Sequence, residues 1–313
     1  MTEIKLKNYI LKSSKEHLRC SQPDKQNLFG IPDPNKRYVC SCYSTSKEFD
    51  YIHKIVTLTR KHPEALAILK EYLEKFPDKI NIQNEKKWTA LHLACRNSRT
   101  ESTEETVEVL LSHFDINVNL QNDDGETALH IACQSSNKNS SERTVELLLA
   151  HPNIDVNLLN NCIEEEPESA LHIACQFLNR GSTERTVELL LDHPNIDVNL
   201  QTEYGETALQ IACQYDKLGS TERAVELLLA HPNININFQE RDGYTALHHV
   251  CIYWDENSNG RIVRMLLYHS TIDVNLQDDI GRTALHLACT ENKIKLVRKL
   301  LEYSDIAHAK NLI

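Results

Sequence analysis

The chain is short of the features that build most enzymes and membrane proteins. It has only eight glycines in 313 residues. Four of them, Gly125, Gly205, Gly243 and Gly281, recur at one turn position, which leaves few for a phosphate-cradling loop. No Gly-rich phosphate loop, Ser nucleophile motif or isolated Cys-His pair occurs, so an enzyme is not expected. No apolar run approaches the ~20 residues that a bilayer span requires. The charged start Met1-Thr2-Glu3-Ile4-Lys5 does not resemble a signal peptide. Basic residues are scarce beyond position 48: residues 49–313 carry 25 Lys or Arg against 40 Asp or Glu. Such an acidic field repels phosphate backbones, so nucleic acid is not an expected partner, and basic partners are mildly favoured. Aromatic residues make up only 6% of the chain, which gives weight to any place where they gather.

Cysteine is the exception, with ten residues. Six of them, Cys95, Cys133, Cys175, Cys213, Cys251 and Cys289, occupy one repeated position. If repeats stack like helix layers at roughly 10 Å, those thiols lie too far apart for disulfides. They read as reduced, buried thiols of a cytoplasmic, reducing compartment.

The organising stretch is Gly125-Glu126-Thr127-Ala128-Leu129-His130-Ile131-Ala132-Cys133-Gln134, whose equivalents start their Thr-Ala-Leu-His at Thr89, Thr127, Ser169, Thr207, Thr245 and Thr283. The spacing is 38 residues throughout, except for 42 between Thr127 and Ser169. Each copy continues through a polar linker, a run like Ser182 to Leu191, and an extended stretch like His193 to Leu200. The Thr predicts an N-cap for the amide of the His three residues on. Leu129, Ala132 and Cys133, widened by Ala128 and Ile131, give a helix that is apolar almost all round and needs cover on both flanks. Ser182 is placed to cap a second helix, with Glu184 in its first turn and Val187, Leu190 and Leu191 on its buried face. Asp197-Val198-Asn199-Leu200 then leads to a turn in which Gly205 takes a positive φ.

These motifs resemble the ankyrin-repeat family, whose units run turn, helix, loop, helix and usually number 33 residues. The resemblance covers Thr45 to the C-terminus and implies an all-α solenoid of stacked helix pairs joined by short β-hairpin-like turns. The 38-residue period departs from it through extra residues between the two helices, as in Gln134 to Ser140, and the dense His-Pro-Asn-Ile-Asp-Val-Asn loops are similar to ankyrin arrays of viruses and unicellular eukaryotes. Residues 1–44 form a basic segment that matches no repeat, with a short helix expected over Ile4 to Leu18. Residues 45–80 form a degenerate capping pair, opened by a capping box of Thr45 and Glu48 and continued by a helix from Ala65 to Leu73. Repeats follow from about 81, 119, 157, 199, 237 and 275. The third carries an acidic finger over residues 164–168. In the sixth, Lys299 replaces the apolar residue seen at Val109, Leu147, Leu189, Leu227 and Met265, which reads as a C-terminal cap with no further repeat or effector domain expected.

Two sets of metal-type residues occur. His92, His130, His172, His248 and His286 precede a Cys by three residues, but Gln210 fills the same place in the fourth unit, so a structural imidazole bonded to the Thr hydroxyl is expected, as the resemblance also implies. His17, Cys20, Cys40 and Cys42 have zinc-type chemistry at no recognised spacing, and ordinary thiols are the simpler reading. No metal or other cofactor is expected. The Asp-Val-Asn asparagines Asn157, Asn199 and Asn275 are similar to ankyrin residues hydroxylated by oxygenases, although bridging of turn backbone is their simpler role.

The resemblance further implies a concave surface made of turn tips and first helices. The two residues after each Ala-Cys would face it, from Arg96 and Asn97 to Thr290 and Glu291. Phe177, Tyr215 and Tyr253 fall in consecutive units, with Tyr204 and Tyr244 at the adjoining tips and Glu203, Glu206, Glu240 and Asp242 around them. Rigid rings rimmed by charge suit a protein-binding hot spot. The sequence thus points to a monomeric, non-enzymatic scaffold for a protein or extended peptide, with basic partners favoured, that touches neither nucleic acid nor membrane. The alternative is an adaptor that recruits ubiquitin-ligase or other effector machinery through residues 1–44.

Overall fold

A computed structural model of the chain describes residues 51–161, 167–178, 180–214, 222–253 and 260–310, with side chains as far as 303 in the last segment. The Ile4–Leu18 helix, the Thr45–Glu48 capping box, the zinc-type residues His17, Cys20, Cys40 and Cys42, most of the acidic finger and Tyr215 lie outside the described residues.

The described residues are helical, with isolated bridges such as Leu159–Ser169 and Gln201–Thr207 closing two of the turns in place of paired strands. A capping pair, α1 (Tyr51–Val56) and α2 (Glu64–Lys75), is followed by a 3-10 turn at Pro77–Lys79. Six helix pairs come next. Their first helices are α3 (Ala90–Arg96), α5 (Ala128–Ser135), α7 (Ala170–Gln176), α9 (Ala208–Gln214), α11 (Ala246–Ile252) and α13 (Ala284–Thr290). The second helices are α4 (Glu104–Leu111), α6 (Glu142–Leu149), α8 (Glu184–Leu191), α10 (Glu222–Ala230), α12 (Gly260–Leu267) and α14 (Ile294–Lys310).

Two compact units divide the chain, one running to Ala132 with Asn139–Ile154, the other comprising Cys133–Lys138 and the residues from Asp155. In the first, α3 packs on α1 and on its own partner α4, and α4 packs on α6. In the second, α7, α9, α11 and α13 stack one on the next, and α8, α10, α12 and α14 form a parallel layer of second helices. This arrangement answers the composition of the first helices. In α9, Ala208, Leu209, Gln210, Ile211, Ala212 and Cys213 are all buried, which a seven-residue helix achieves only with a neighbour on each flank. Each covered Leu or Ile contributes roughly 1.5–3 kcal/mol, and the helix is far too short to persist without that cover.

The first helices start as the sequence predicts. Thr89 Oγ1 accepts the His92 amide at 3.3 Å, and His92 Nδ1 accepts the Thr89 amide at 3.1 Å and faces the Thr89 hydroxyl at 2.7 Å. The same box recurs at Thr127–His130, Ser169–His172 and Thr245–His248. Gln210 reproduces it, its Oε1 accepting the Thr207 amide at 2.7 Å while its Nε2 donates to the Tyr244 carbonyl at 2.8 Å. The repeated histidines are therefore structural parts of the helix start.

The second helices start one residue later than expected. Thr183, not Ser182, caps α8, and Thr103 and Ser141 cap α4 and α6. Ser182 is held in the preceding loop, where its amide donates to the Phe177 carbonyl at 3.0 Å and its backbone bridges Leu178. Lys299 also differs from its expected role of facing water. It is partly buried, and its Nζ donates to the Gly260 carbonyl of the preceding unit at 3.3 Å. Gly205 has φ 87°, as the turn requires, whereas Lys87 occupies the equivalent place at φ 56° with the strain that a side chain brings there.

The extra residues of the long period form a ladder of their own. The Arg60 amide donates to the Glu101 carbonyl, that of Arg99 to Asn139, and that of Asn137 to Gly181, so the first four inter-helix loops are bonded each to the next. Asn157 and Asn199 bridge turns as expected. Asn199 Nδ2 donates to the Asn233 carbonyl at 2.7 Å and its Oδ1 accepts the Asn235 amide at 2.7 Å, and Asn157 bridges Asn195 and Asp197 in the same way.

A Cβ at Gly181 would lie 2.2 Å from the Gln134 carbonyl oxygen, a backbone atom that cannot swing away. Gly181→Ala should therefore destabilise the protein by roughly 1–3 kcal/mol in urea titration, and an unchanged midpoint would show that the loop ladder is slack. The capping histidine gives a pH prediction. Burial, ahead of every other influence, pushes His92 from 6.5 down to about 4. Between those values the unfolded chain takes up a proton that the folded chain excludes, so stability falls as pH drops through that window, by about 3 kcal/mol for this residue. His92→Gln, which copies Gln210, should keep stability at pH 7 and flatten the acid limb of a melting-temperature profile. An identical acid limb would contradict the assignment.

Candidate functional site

Five of the seven residues singled out by sequence for partner binding, Phe177, Tyr204, Glu206, Tyr244 and Tyr253, have their side chains placed on the turns and first-helix ends of the second compact unit, and Asp242 is exposed on the adjoining turn tip. Phe177 and Tyr253 are the C-cap residues of α7 and α11, each half-buried, with amides that donate to Ile173 and His249 at 2.9 Å. Tyr204, at a turn tip, is 50% exposed. Tyr244 is half-buried at the next tip.

The rings do not sit in a purely acidic frame. The Arg241 guanidinium lies 5.6 Å from the Tyr204 ring centre, a cation–π distance. Arg282 lies 6.0 Å from the Tyr244 ring, donates to its hydroxyl at 2.7 Å, and is held by Asp278 at 2.8 Å. Glu203 and Asp242 remain exposed, as expected of a rim. Glu206 and Glu240 instead turn inward, their side chains only 14% and 10% exposed. Tyr253 is similarly engaged, its hydroxyl accepting from Gln214 Nε2 at 3.2 Å.

In the middle of these groups lies His249, which the sequence reading passed over. Its ring stacks on Tyr253 with centres 6.3 Å apart and meets the edge of Tyr244 at 5.9 Å. Its Nε2 stands 3.7 Å from a Glu240 oxygen and 3.9 Å from one of Glu206. Desolvation, and then the neighbouring His248, push its pKa down to about 4, which leaves the ring neutral at pH 7. Glu206, Glu240 and His249 are the group of metal-ligating type that the described residues bring together. A signal was present in the sequence. At the His249 position the other units carry Leu93, Ile131, Ile173, Ile211 and Leu287, so a histidine breaks an apolar column.

A stack of capped helix pairs whose repeated histidines and cysteines are structural defines a helical repeat protein. A family profile described as ankyrin repeats (3 copies) matches residues 58–160, 136–240 and 216–310. The chain belongs to the ankyrin-repeat family. Among solved structures, the ankyrin repeat domain of Bcl-3, a member of the IkappaB protein family, is 24% identical with TM-score 0.57, over 76% of this chain and 92% of that one. The ankyrin repeat protein EF0377 is 26% identical with TM-score 0.56, over 68% and 97%. An ankyrin repeat domain from Acinetobacter baumannii AYE is 25% identical with TM-score 0.54, over the same shares. Curated protein sequences give no match. No helix among the described residues is long and apolar enough to cross a membrane.

The repeat cysteines are free thiols. Burial pushes Cys175 and Cys251 up to about 12 and raises Cys95 and Cys133 further, whereas Cys289 is exposed. Thiolate is the reactive form, so these buried sulfurs are inert. Peptide mapping after brief iodoacetamide treatment of the native protein should find Cys289 alkylated and those four protected. Equal labelling of all would contradict the packing of the first helices.

Proposed function

We propose that the protein is a non-enzymatic scaffold that binds a protein or extended peptide through the concave ankyrin face, with Phe177, Tyr204, Tyr215, Tyr244 and Tyr253 as anchors and Glu206 and Asp242 beside them. Ankyrin repeats are in general protein–protein interaction modules, and the family is typically non-enzymatic. The observation that carries the finer reading is the gathering of aromatic residues of a chain with few of them on the turns and helix ends of consecutive units, Tyr204 half in solvent. Rings of this kind contribute large contact area at small entropic cost, and the charges around them set orientation.

Arg241 and Arg282 modify the expected partner. An acidic rim alone favours a basic peptide. With guanidinium groups over Tyr204 and Tyr244, the face suits a segment with an apolar or aromatic anchor flanked by charges of both signs. The adaptor alternative rests on residues 1–44 and draws no support from the described residues.

The cleanest probe is the pair Phe177→Ala and Tyr204→Ala, which removes surface rings and leaves the His249 cluster untouched. Quantitative affinity capture with wild-type bait should enrich a partner that the double variant loses at least tenfold, while its melting temperature shifts by no more than about 3 °C. Equal capture by both baits would remove this face from the account.

A further inference from the structure

We propose that Glu206, Glu240 and His249 form a binding site for one divalent transition-metal ion, zinc being the best match, between the turns that open the fourth and fifth units. The three donor atoms, one imidazole nitrogen and two carboxylate oxygens, lie within 4.8 Å of one another. His249 is 4% exposed, and neither of its ring nitrogens has a hydrogen-bond partner. A buried imidazole without partners costs on the order of 1–3 kcal/mol, and proteins rarely leave one so. Its Nε2 points between two carboxylates at 3.7 and 3.9 Å, too far for hydrogen bonds. Around zinc, donors at about 2.1 Å from the ion stand about 3.4 Å from each other, so rotation of the two glutamate side chains closes the site. The double positive charge also offsets two acidic groups held together in a poorly hydrated place.

The repeat itself supplies the independent support, because two of the three ligands are departures from the pattern that meet in space. His249 interrupts a column of Leu and Ile. Glu240 stands where other units carry Asn84, Asn122, Thr202 and Asp278, short side chains that brace their own turn. Asn84 Oδ1, for example, accepts the amides of Lys86 and Trp88. The longer Glu240 side chain reaches to 3.7 Å from His249 Nε2. Tyr253 and Tyr244 clamp the imidazole ring from face and edge, which fixes the direction of its donor atoms. One nitrogen and two carboxylate oxygens form a borderline set that suits zinc better than calcium or magnesium, with a fourth position left for water.

The test uses the full chain, stripped with a chelator and titrated with zinc by calorimetry. His249→Ile and Glu240→Asn give each position a residue that other units already use there, and Glu206→Gln keeps shape while removing charge. Wild type should bind one equivalent, each variant should bind at least tenfold more weakly, and zinc should raise the melting temperature of wild type alone. Cobalt(II) bound to wild type should show ligand-field bands without a thiolate charge-transfer band. Absence of zinc binding, equal binding by wild type and His249→Ile, or a thiolate band from ion held by cysteines would each overturn the proposal. None of these outcomes depends on whether the aromatic face binds a protein.

Discussion

Everything in the array follows from helices that are too short and too apolar to exist alone. A first helix of seven residues makes three backbone hydrogen bonds of its own kind and presents apolar side chains on nearly every side. Only a neighbour on each flank converts that liability into stability, and the conversion repeats at each step of the stack. Small residues make it possible. Ala174 and Ala212, with Cys175 and Cys213, are buried and let successive helices of the second compact unit approach closely. The high thiol pKa values are a by-product of that packing, because a side chain chosen for its size sits where its charged form has no solvation.

Apolar contact is non-directional, and polar bonds between consecutive repeats add register. The reciprocal Thr–His box fixes where each first helix begins, and the far side of the imidazole or amide reaches onward, His92 Nε2 to the Glu126 carbonyl at 3.1 Å and His248 Nε2 to that of Arg282 at 3.2 Å. Asparagines tie the turns at one end, and the inter-helix loops tie the other. The five residues by which this period exceeds the usual 33 supply the second set of ties, with Thr144 and Thr186 adding hydroxyl bonds to Ser98 and Ser136 at 2.8 Å. Among second helices, arginines such as Arg223 span Glu188 and Glu226, in line with the repeated Glu-Arg-x-Val-Glu run.

Most of this was legible in the sequence because a repeat is read many times over. Six copies of one signature fix the helix starts, and the Gln210 substitution discloses the function of the histidines, since a residue that swaps imidazole for amide needs hydrogen bonds and not a metal. Three features were less legible. Ser182 and Thr183 are both good caps by type, and only the loop bond between Ser182 and Phe177 decides between them. Lys299 reads as solvent-facing by its charge, whereas its long stem lets the ammonium reach a carbonyl of the preceding unit. The His249 cluster was missed because pattern reading rewards what recurs. His249 and Glu240 are informative because they do not recur, and no spacing rule says that one will reach the other.

The proposed aromatic face and the metal-type cluster meet on the turns of the fourth and fifth units, where the repeat is irregular in chemistry while remaining regular in backbone. That is how a solenoid acquires specificity: the scaffold is set by the residues that repeat, and recognition by those that do not. The central claim, that single repeats borrow their stability from neighbours, is tested most directly by far-ultraviolet circular dichroism of residues 81–118, 81–156 and the full chain during urea titration. The account predicts a largely unfolded single unit, a marginal pair and a cooperative transition in the full chain. A single unit that is helical and unfolds at the same urea concentration as the full chain would contradict it.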